Sequence, residues 1–268
     1  MTWFQAIIIA IVEGITEFLP ISSTGHMAIT ASFLGIEKND FTKLFIENIQ
    51  FGTIVSVIIL YWRKFFNFRK LSFYYKLIVA FIPAAIIGIL FKKHIDNVLE
   101  SPMFIASVML AGGVVLLFVD NWFKQPVIES EEKLTYKNSF IIGLFQILSV
   151  VFPGLSRSAA TIIGGMQQKM TRKAAAEFSF FLAVPTLAGA FILSLWDAYD
   201  KTPEILTSRN IGLLAFGNAV GFLVAILAIK FFITFLQKHG FRLFGWYRIV
   251  VGLVLIILLL MGVDLKVV

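Results

Sequence analysis

The chain has 268 residues, of which 59% are hydrophobic and 15% charged, with a mean hydropathy of +0.89. That balance excludes an ordinary soluble domain and points to one multi-spanning helical membrane domain over residues 1–268. Zero cysteines exclude disulfides, thiolate zinc sites and a cysteine nucleophile, while the +7 charge sits mostly in short loops between apolar runs, a membrane-topology pattern and not a nucleic-acid-binding one.

In chain order, Met1-Thr2-Trp3-Phe4 lacks the basic stretch of a cleaved signal peptide, so the N-terminus is expected to be retained. Residues 2–19 and 22–36 are apolar, but each falls short of the roughly 20 residues a bilayer core requires, and Pro20-Ile21-Ser22-Ser23 divides them. They read as a re-entrant hairpin of two half-helices, whose tip must face protein or water. Full spans are expected at 41–62, 73–91 and 102–120. After the polar connector 121–138, a second short pair runs over 139–152 and, beyond Pro153-Gly154-Leu155-Ser156-Arg157-Ser158-Ala159-Ala160-Thr161, to about 168. Spans resume at 174–196, 210–236 and 244–262. The expectation is an all-α polytopic protein of about six full transmembrane helices plus two re-entrant helical hairpins.

A broken pair followed by three long helices thus occurs twice, as internal repeats of roughly 1–120 and 139–262. Sliding by 133 residues sets Glu13 on Gln146, Pro20 on Pro153 and Ser23 on Ser156. Loop 63–76 carries Arg63, Lys64, Arg69, Lys70 and Lys76 without an acid, which assigns it to the cytoplasmic side. Alternation then puts Lys169, Arg172 and Lys173, and Lys238 with Arg242, inside as well. The acid-bearing loops 92–101 and 197–208 and both termini fall outside, so the hairpins enter from opposite faces as an inverted-topology repeat. The connector fits less well, because Glu129, Glu131 and Glu132 offset Lys124, Lys133 and Lys137, but acids weigh little in this rule.

The chemistry concentrates in the broken pairs. On a helix Glu13 and Glu17 leave one face a turn apart. Pro20 ends that helix, and Ser22-Ser23-Thr24-Gly25 begins another, whose free N–H groups attract anions. If the hairpins meet near the midplane, Glu13, Glu17, Ser22, Ser23, Thr24 and His26 face Ser156, Arg157, Ser158 and Thr161. Unpaired, the two acids and the arginine would cost roughly 8–10 kcal/mol on insertion scales. A structural Glu–Arg pair accounts for one acid and the cation, but not for the second acid, the imidazole and two hydroxyl-rich helix starts. Guanidinium and helix N–H groups suit phosphate, and a hard Mg²⁺ or Ca²⁺ ion reconciles phosphate with the carboxylates. The site therefore favours a metal-bridged phosphate or diphosphate, with Ser23 and His26 as nucleophile and acid–base group.

Three stretches, Glu13-Gly-Ile-Thr-Glu17, Pro20-Ile-Ser22-Ser23-Thr24-Gly25-His26 and the Pro153-to-Thr161 run, resemble motifs of the undecaprenyl-diphosphate phosphatase family, also known for bacitracin resistance. The resemblance covers essentially the whole chain. It implies a hydrolase of the bacterial plasma membrane that removes the terminal phosphate of the C55 lipid carrier undecaprenyl diphosphate, recycling it for cell-wall synthesis. It also implies Mg²⁺ or Ca²⁺ dependence and a site opening outward. By resemblance the functional positions are Glu13, Glu17, Ser23, His26 and Arg157. We expect Ser23 as nucleophile, His26 as its base and then acid, Glu13 and Glu17 as metal ligands and Arg157 as transition-state clamp, with a phosphohistidine at His26 as the alternative. Gln50, at a helix start where solvation is the simple reading, is raised by the resemblance to a substrate or neighbouring contact. Asn218 and the Gly217/Gly221 pair read as helix packing. The expected partners are the lipid substrate and membrane lipid, with no nucleic acid and a homodimer left open.

Three rivals stand beside this reading. A secondary transporter shares the inverted architecture. A phosphatidic-acid-type phosphatase would need a second histidine six residues after the arginine, where this chain has Ile163. A non-catalytic lipid binder or flippase would survive loss of the acids and of Ser23.

Overall fold

A computed structural model describes residues 1–37, 39–91, 101–263 and 265. The described residues form eleven α-helices: α1 (Trp3–Thr16), α2 (Ser23–Phe33), α3 (Asp40–Leu60), the single turn α4 (Trp62–Phe65), α5 (Leu71–Leu90), α6 (Pro102–Trp122), α7 (Tyr136–Val151), α8 (Arg157–Gln167), α9 (Arg172–Lys201), α10 (Ser208–His239) and α11 (Arg242–Leu260). Six of them, α3, α5, α6, α9, α10 and α11, are long and apolar enough to cross a membrane. The all-helical class and the number of long helices match the apolar runs of the sequence. The loop expected at 92–101 lies, but for Ser101, outside the described residues, and His94 with it.

Two helices overrun their apolar runs. Thr171 caps α9 by accepting from Ala174 N–H, and Thr207 caps α10 by accepting from Asn210 N–H, so both helices start before the hydrophobic segment does. At 32 residues α10 is about 48 Å long, well beyond a hydrocarbon core of about 30 Å. Its ends therefore lie in the interface, which is why their sequence is polar.

The two short pairs are built alike. Thr2 and Gln5 close a capping box at the start of α1, and Thr135 and Asn138, each 133 positions later, close one at the start of α7. Helix α1 packs on α10 while α7 packs on α5, and among the long helices α3 packs on both α10 and α9, and α6 on α11. At the α5–α7 crossing a side chain on Gly143 would strike the Ala80 carbonyl, so only glycine lets these backbones approach. Asn218 links α10 to α3 by accepting from Gly52 N–H at 2.5 Å, the interhelical use expected of it.

The connector docks through its acids. Glu131, buried, takes Lys64 at 2.5 Å, and Glu132 takes Lys70 at 2.5 Å. The Lys70 ammonium holds the Glu132 carboxyl below the usual carboxylate range. Lys76 donates to the carbonyls of Glu131 and Glu132, each at 2.9 Å, and Ile128 pairs with Met170 in an isolated bridge. Asp120 joins Arg172 at 2.7 Å and accepts from Phe241 N–H at 2.8 Å. Two of the three connector acids that offset the charge count, Glu131 and Glu132, are thus partners of the basic loop, whereas Glu129 pairs with Lys133 of the connector itself, and these loops gather at one end of the molecule. Behind the broken pairs lies an aromatic core in which Phe18 meets Phe180 edge-on at 5.1 Å.

Candidate functional site

Helix α1 ends at Thr16, and its C-cap Glu17 keeps helical angles, φ −62° and ψ −42°. Glu17 N–H still donates to Glu13 carbonyl at 3.0 Å, so the two carboxylates do lie one turn apart. Glu13 has no exposed surface, and neither of its carboxylate oxygens has a hydrogen-bond partner among the described residues.

The next helix of each pair starts on a serine in the left-handed region: Ser22 at φ 71° and Ser156 at φ 75°. For a residue with a β-carbon this costs about 1–3 kcal/mol and persists only where surrounding bonds hold it. Here each serine hydroxyl accepts from the N–H three residues on, Gly25 at 3.5 Å and Ala159 at 3.3 Å. The structural counterpart of Ser156 is therefore Ser22, not Ser23, an offset of 134; Gly154, at φ 95°, is the additional residue of the second tip.

This register puts Ser23 and Arg157 at equivalent places, the first helical residues of α2 and α8. Both reach Glu17. Ser23 Oγ donates to Oε2 and Arg157 Nη2 donates to Oε1, each at 2.7 Å. Arg157 Nη1 also donates to Ser179 carbonyl at 3.1 Å, the guanidinium lies 5.8 Å from the Phe18 ring centre, and Nε has no partner among the described residues. A buried pair of this kind is strongly destabilised when one member alone is removed, by about 3–5 kcal/mol.

His26 lies next to this chain of contacts but outside it. Its Nδ1 meets Ser22 carbonyl and its Nε2 meets Tyr247 hydroxyl, each at 2.7 Å, with the two rings stacked. A carbonyl can only accept, so Nδ1 carries the proton, and in the neutral ring Nε2 accepts from Tyr247. The hydroxyl of Ser23 is bonded to Glu17 and not to His26, the base expected from sequence.

The remaining candidates divide. Ser158 Oγ donates to Leu19 carbonyl at 2.8 Å, tying the second tip to the first, and lies 3.0 Å from Ser156 Oγ. Thr161 donates to Arg157 carbonyl at 2.9 Å and lies 2.6 Å from Ser179 Oγ. These hydroxyls, with the caps Ser22 and Ser156, are engaged within the fold, whereas Thr24 is exposed. Gln50 is half-buried elsewhere, lining a cavity of about 890 Å³ between α3, α5, α7 and α9 with Glu47, Phe81, Val150 and Thr186. None of the Glu13–Glu17 cluster lines that cavity.

Two residues of α11 escaped the sequence reading: Tyr247, bonded to His26, and Arg248, with no exposed surface. The available signal was an arginine inside an expected span, at a depth where ionisable groups are costly. Nothing in sequence marked Tyr247, because aromatic residues are common in such spans.

Two hard carboxylates, one of them buried and unpartnered, fit a hard divalent cation that would complete its shell with water and phosphate oxygens. Among the described residues no group of three or more His, Cys, Asp or Glu gathers, so the protein would supply a minority of the ligands.

Fold and site together define a class: a polytopic helical membrane protein whose broken helices bring a carboxylate, a hydroxyl and a guanidinium into contact. The model of the bacitracin resistance protein BacA family matches residues 6–254, and the chain belongs to that family. Proteins called undecaprenyl-diphosphatase are similar to it along their lengths. One from Flavobacterium psychrophilum is 56% identical over 258 residues, 96% of each chain. One from Porphyromonas gingivalis is 47% identical over 283 aligned positions, all of each chain, and one from Enterococcus faecalis is 40% identical over 95% of this chain and 96% of its own.

Proposed function

We propose that this protein is an undecaprenyl-diphosphate phosphatase of the bacterial plasma membrane, releasing the terminal phosphate and returning undecaprenyl phosphate to cell-wall synthesis. The observation that carries the reading is the contact of Ser23 and Arg157 with the two oxygens of one carboxylate, Glu17, each at 2.7 Å. Membership of a family whose relatives bear that enzyme's name supports the substrate.

In this mechanism Ser23 Oγ attacks the terminal phosphorus. A new O–P bond forms as the bridging P–O bond breaks, its electron pair leaves with the polyprenyl phosphate, and the Ser23 proton passes to Glu17 Oε2, which already accepts it. Arg157 uses its unpartnered Nε, together with the free N–H groups at the starts of α2 and α8, to hold the equatorial oxygens as charge develops. Water then attacks the phosphoserine with His26 taking a water proton, and as the Ser23 O–P bond breaks Glu17 returns its proton to Ser23 Oγ, releasing inorganic phosphate; Tyr247 is the hydrogen-bond partner of His26. Glu13 and Glu17 would hold Mg²⁺ or Ca²⁺, which when bound neutralises diphosphate charge beside the two acids.

The matched capping boxes, the paired left-handed serines and the exchanged packing of α1 and α7 support two repeats related by a two-fold axis. We read the pairs as re-entrant hairpins entering from opposite faces, with the basic loop cluster cytoplasmic, both termini outside and the site open outward. The name of the family supports a link between this hydrolysis and resistance to bacitracin.

The test is phosphate release from C55 diphosphate by the detergent-purified protein. Release by the parent, with loss of at least 10³-fold in Ser23→Ala and Arg157→Ala, is expected. A folded parent that releases none would end the reading.

A further inference from the structure

Arg248 has no exposed surface, and its hydrogen bonds all end on backbone carbonyls. Nε donates to Met109 of α6 at 3.1 Å. Nη1 donates to Pro20 at 3.2 Å and to Leu155 at 2.7 Å, and Nη2 donates to Gly154 at 2.9 Å. Pro20 lies two residues before the cap Ser22, and Leu155 lies immediately before the cap Ser156. One planar fork therefore grips the tips of both broken pairs and fastens them to α6.

The fold makes room for that grip. A β-carbon on Gly112 would strike the guanidinium, and one on Gly113 would come within 2.9 Å of Arg248 Cβ. A charged side chain buried against neutral carbonyls is a poor way to stabilise a fold, since a well-packed apolar residue avoids the desolvation. Its particular property is geometric: five N–H donors in fixed directions can set the distance between segments far apart in sequence.

We propose that Arg248 is a positioning residue that fixes the separation of the two helix starts, so that Ser23 and Arg157 meet on the same carboxylate. Among the described residues its hydrogen bonds reach neither of those side chains nor Glu17, and it acts through the carbonyls of Pro20, Gly154 and Leu155. Its effect on turnover rests on the hydrolase reading; its effect on the tips does not.

The test uses the absence of cysteine from the chain. Ile15→Cys in α1 and Leu148→Cys in α7, both at exposed positions, carry spin labels whose separation is measured by pulsed electron resonance. Arg248→Gln and Arg248→Met should broaden the parent's narrow distance distribution. The same variants should lower kcat on C55 diphosphate about 100-fold with KM within about threefold, because a displacement of about 1 Å suffices for such a loss. Arg248→Lys, with a charge but no fork, should recover melting temperature more than kcat. Asp120→Asn, which cuts a latch away from the tips, should lower melting temperature and leave kcat unchanged. Gly112→Ala, which displaces the guanidinium without removing it, gives the distance readout should the Arg248 variants fail to fold. A parental distance distribution in a folded Arg248→Gln or Gly112→Ala variant, or a parental kcat in folded Arg248→Gln, overturns the proposal. A parent that releases no phosphate defeats the hydrolase reading alone, and the distances still decide the role of Arg248.

Discussion

Glu17 has one oxygen on Ser23 and the other on Arg157, while Glu13, one turn earlier, has none of its oxygens engaged. The two acids should therefore respond differently to neutralisation. Glu17→Gln is expected to abolish turnover in the absence and presence of added metal. Glu13→Gln should instead remove the rise in melting temperature that Mg²⁺ or Ca²⁺ produces in the parent, a readout independent of activity. If Glu13→Gln retains that rise, the metal role of Glu13 is lost. Tyr247→Phe keeps the ring stacked on His26 and deletes one hydrogen bond, so kcat should fall about 3- to 10-fold with melting temperature nearly unchanged. The acids, Ser23 and Arg157 were legible in the sequence because polar groups inside apolar runs are costly and conspicuous. Their pairing was not, because i,i+4 spacing gives the face of a helix but not which side chain from another helix arrives there.

At the scale of elements, the short helices depend on serines with left-handed backbones, a conformation no sequence pattern announced. Glycine adopts this conformation freely and caps almost as well as serine, whereas valine, β-branched and without a hydroxyl, does neither. Ser156→Gly is therefore expected to melt within about 1 kcal/mol of the parent, and Ser156→Val to lose about 2 kcal/mol or more, by denaturation in mixed micelles. Equal losses in both would mean that the backbone angle is not the constraint. The existence of every long helix was readable from hydropathy, since length and apolar content suffice for it. Helix ends were read less well: α9 and α10 run past their apolar segments because polar caps and interfacial turns carry no hydrophobic signal. The register of the repeat slipped by one for a related reason, since Gly154 enlarges the second tip without altering the pattern of hydroxyls on either side.

For the whole molecule, ion pairs gather the loop that bears Lys64 and Lys70, the connector and the start of the helix that bears Arg172 at one end. Assigning that end to the cytoplasm predicts that Lys70→Cys reacts with an impermeant thiol reagent only after cells are opened, while Glu204→Cys reacts in intact cells. The opposite labelling would invert the topology and turn the site inward. The connector shows why a charge count alone was ambiguous: Glu131 and Glu132 lie in the same loop cluster as the cations they neutralise, a relation visible only once the chain has folded.

The most direct test of the central claim is to quench the reaction early with C55 diphosphate labelled on its terminal phosphate and map the label on the protein. The account predicts label on Ser23, absent from Ser23→Ala and accumulating in a variant of His26. Label on His26, or turnover with no labelled protein under conditions that trap phosphoserine, would contradict it.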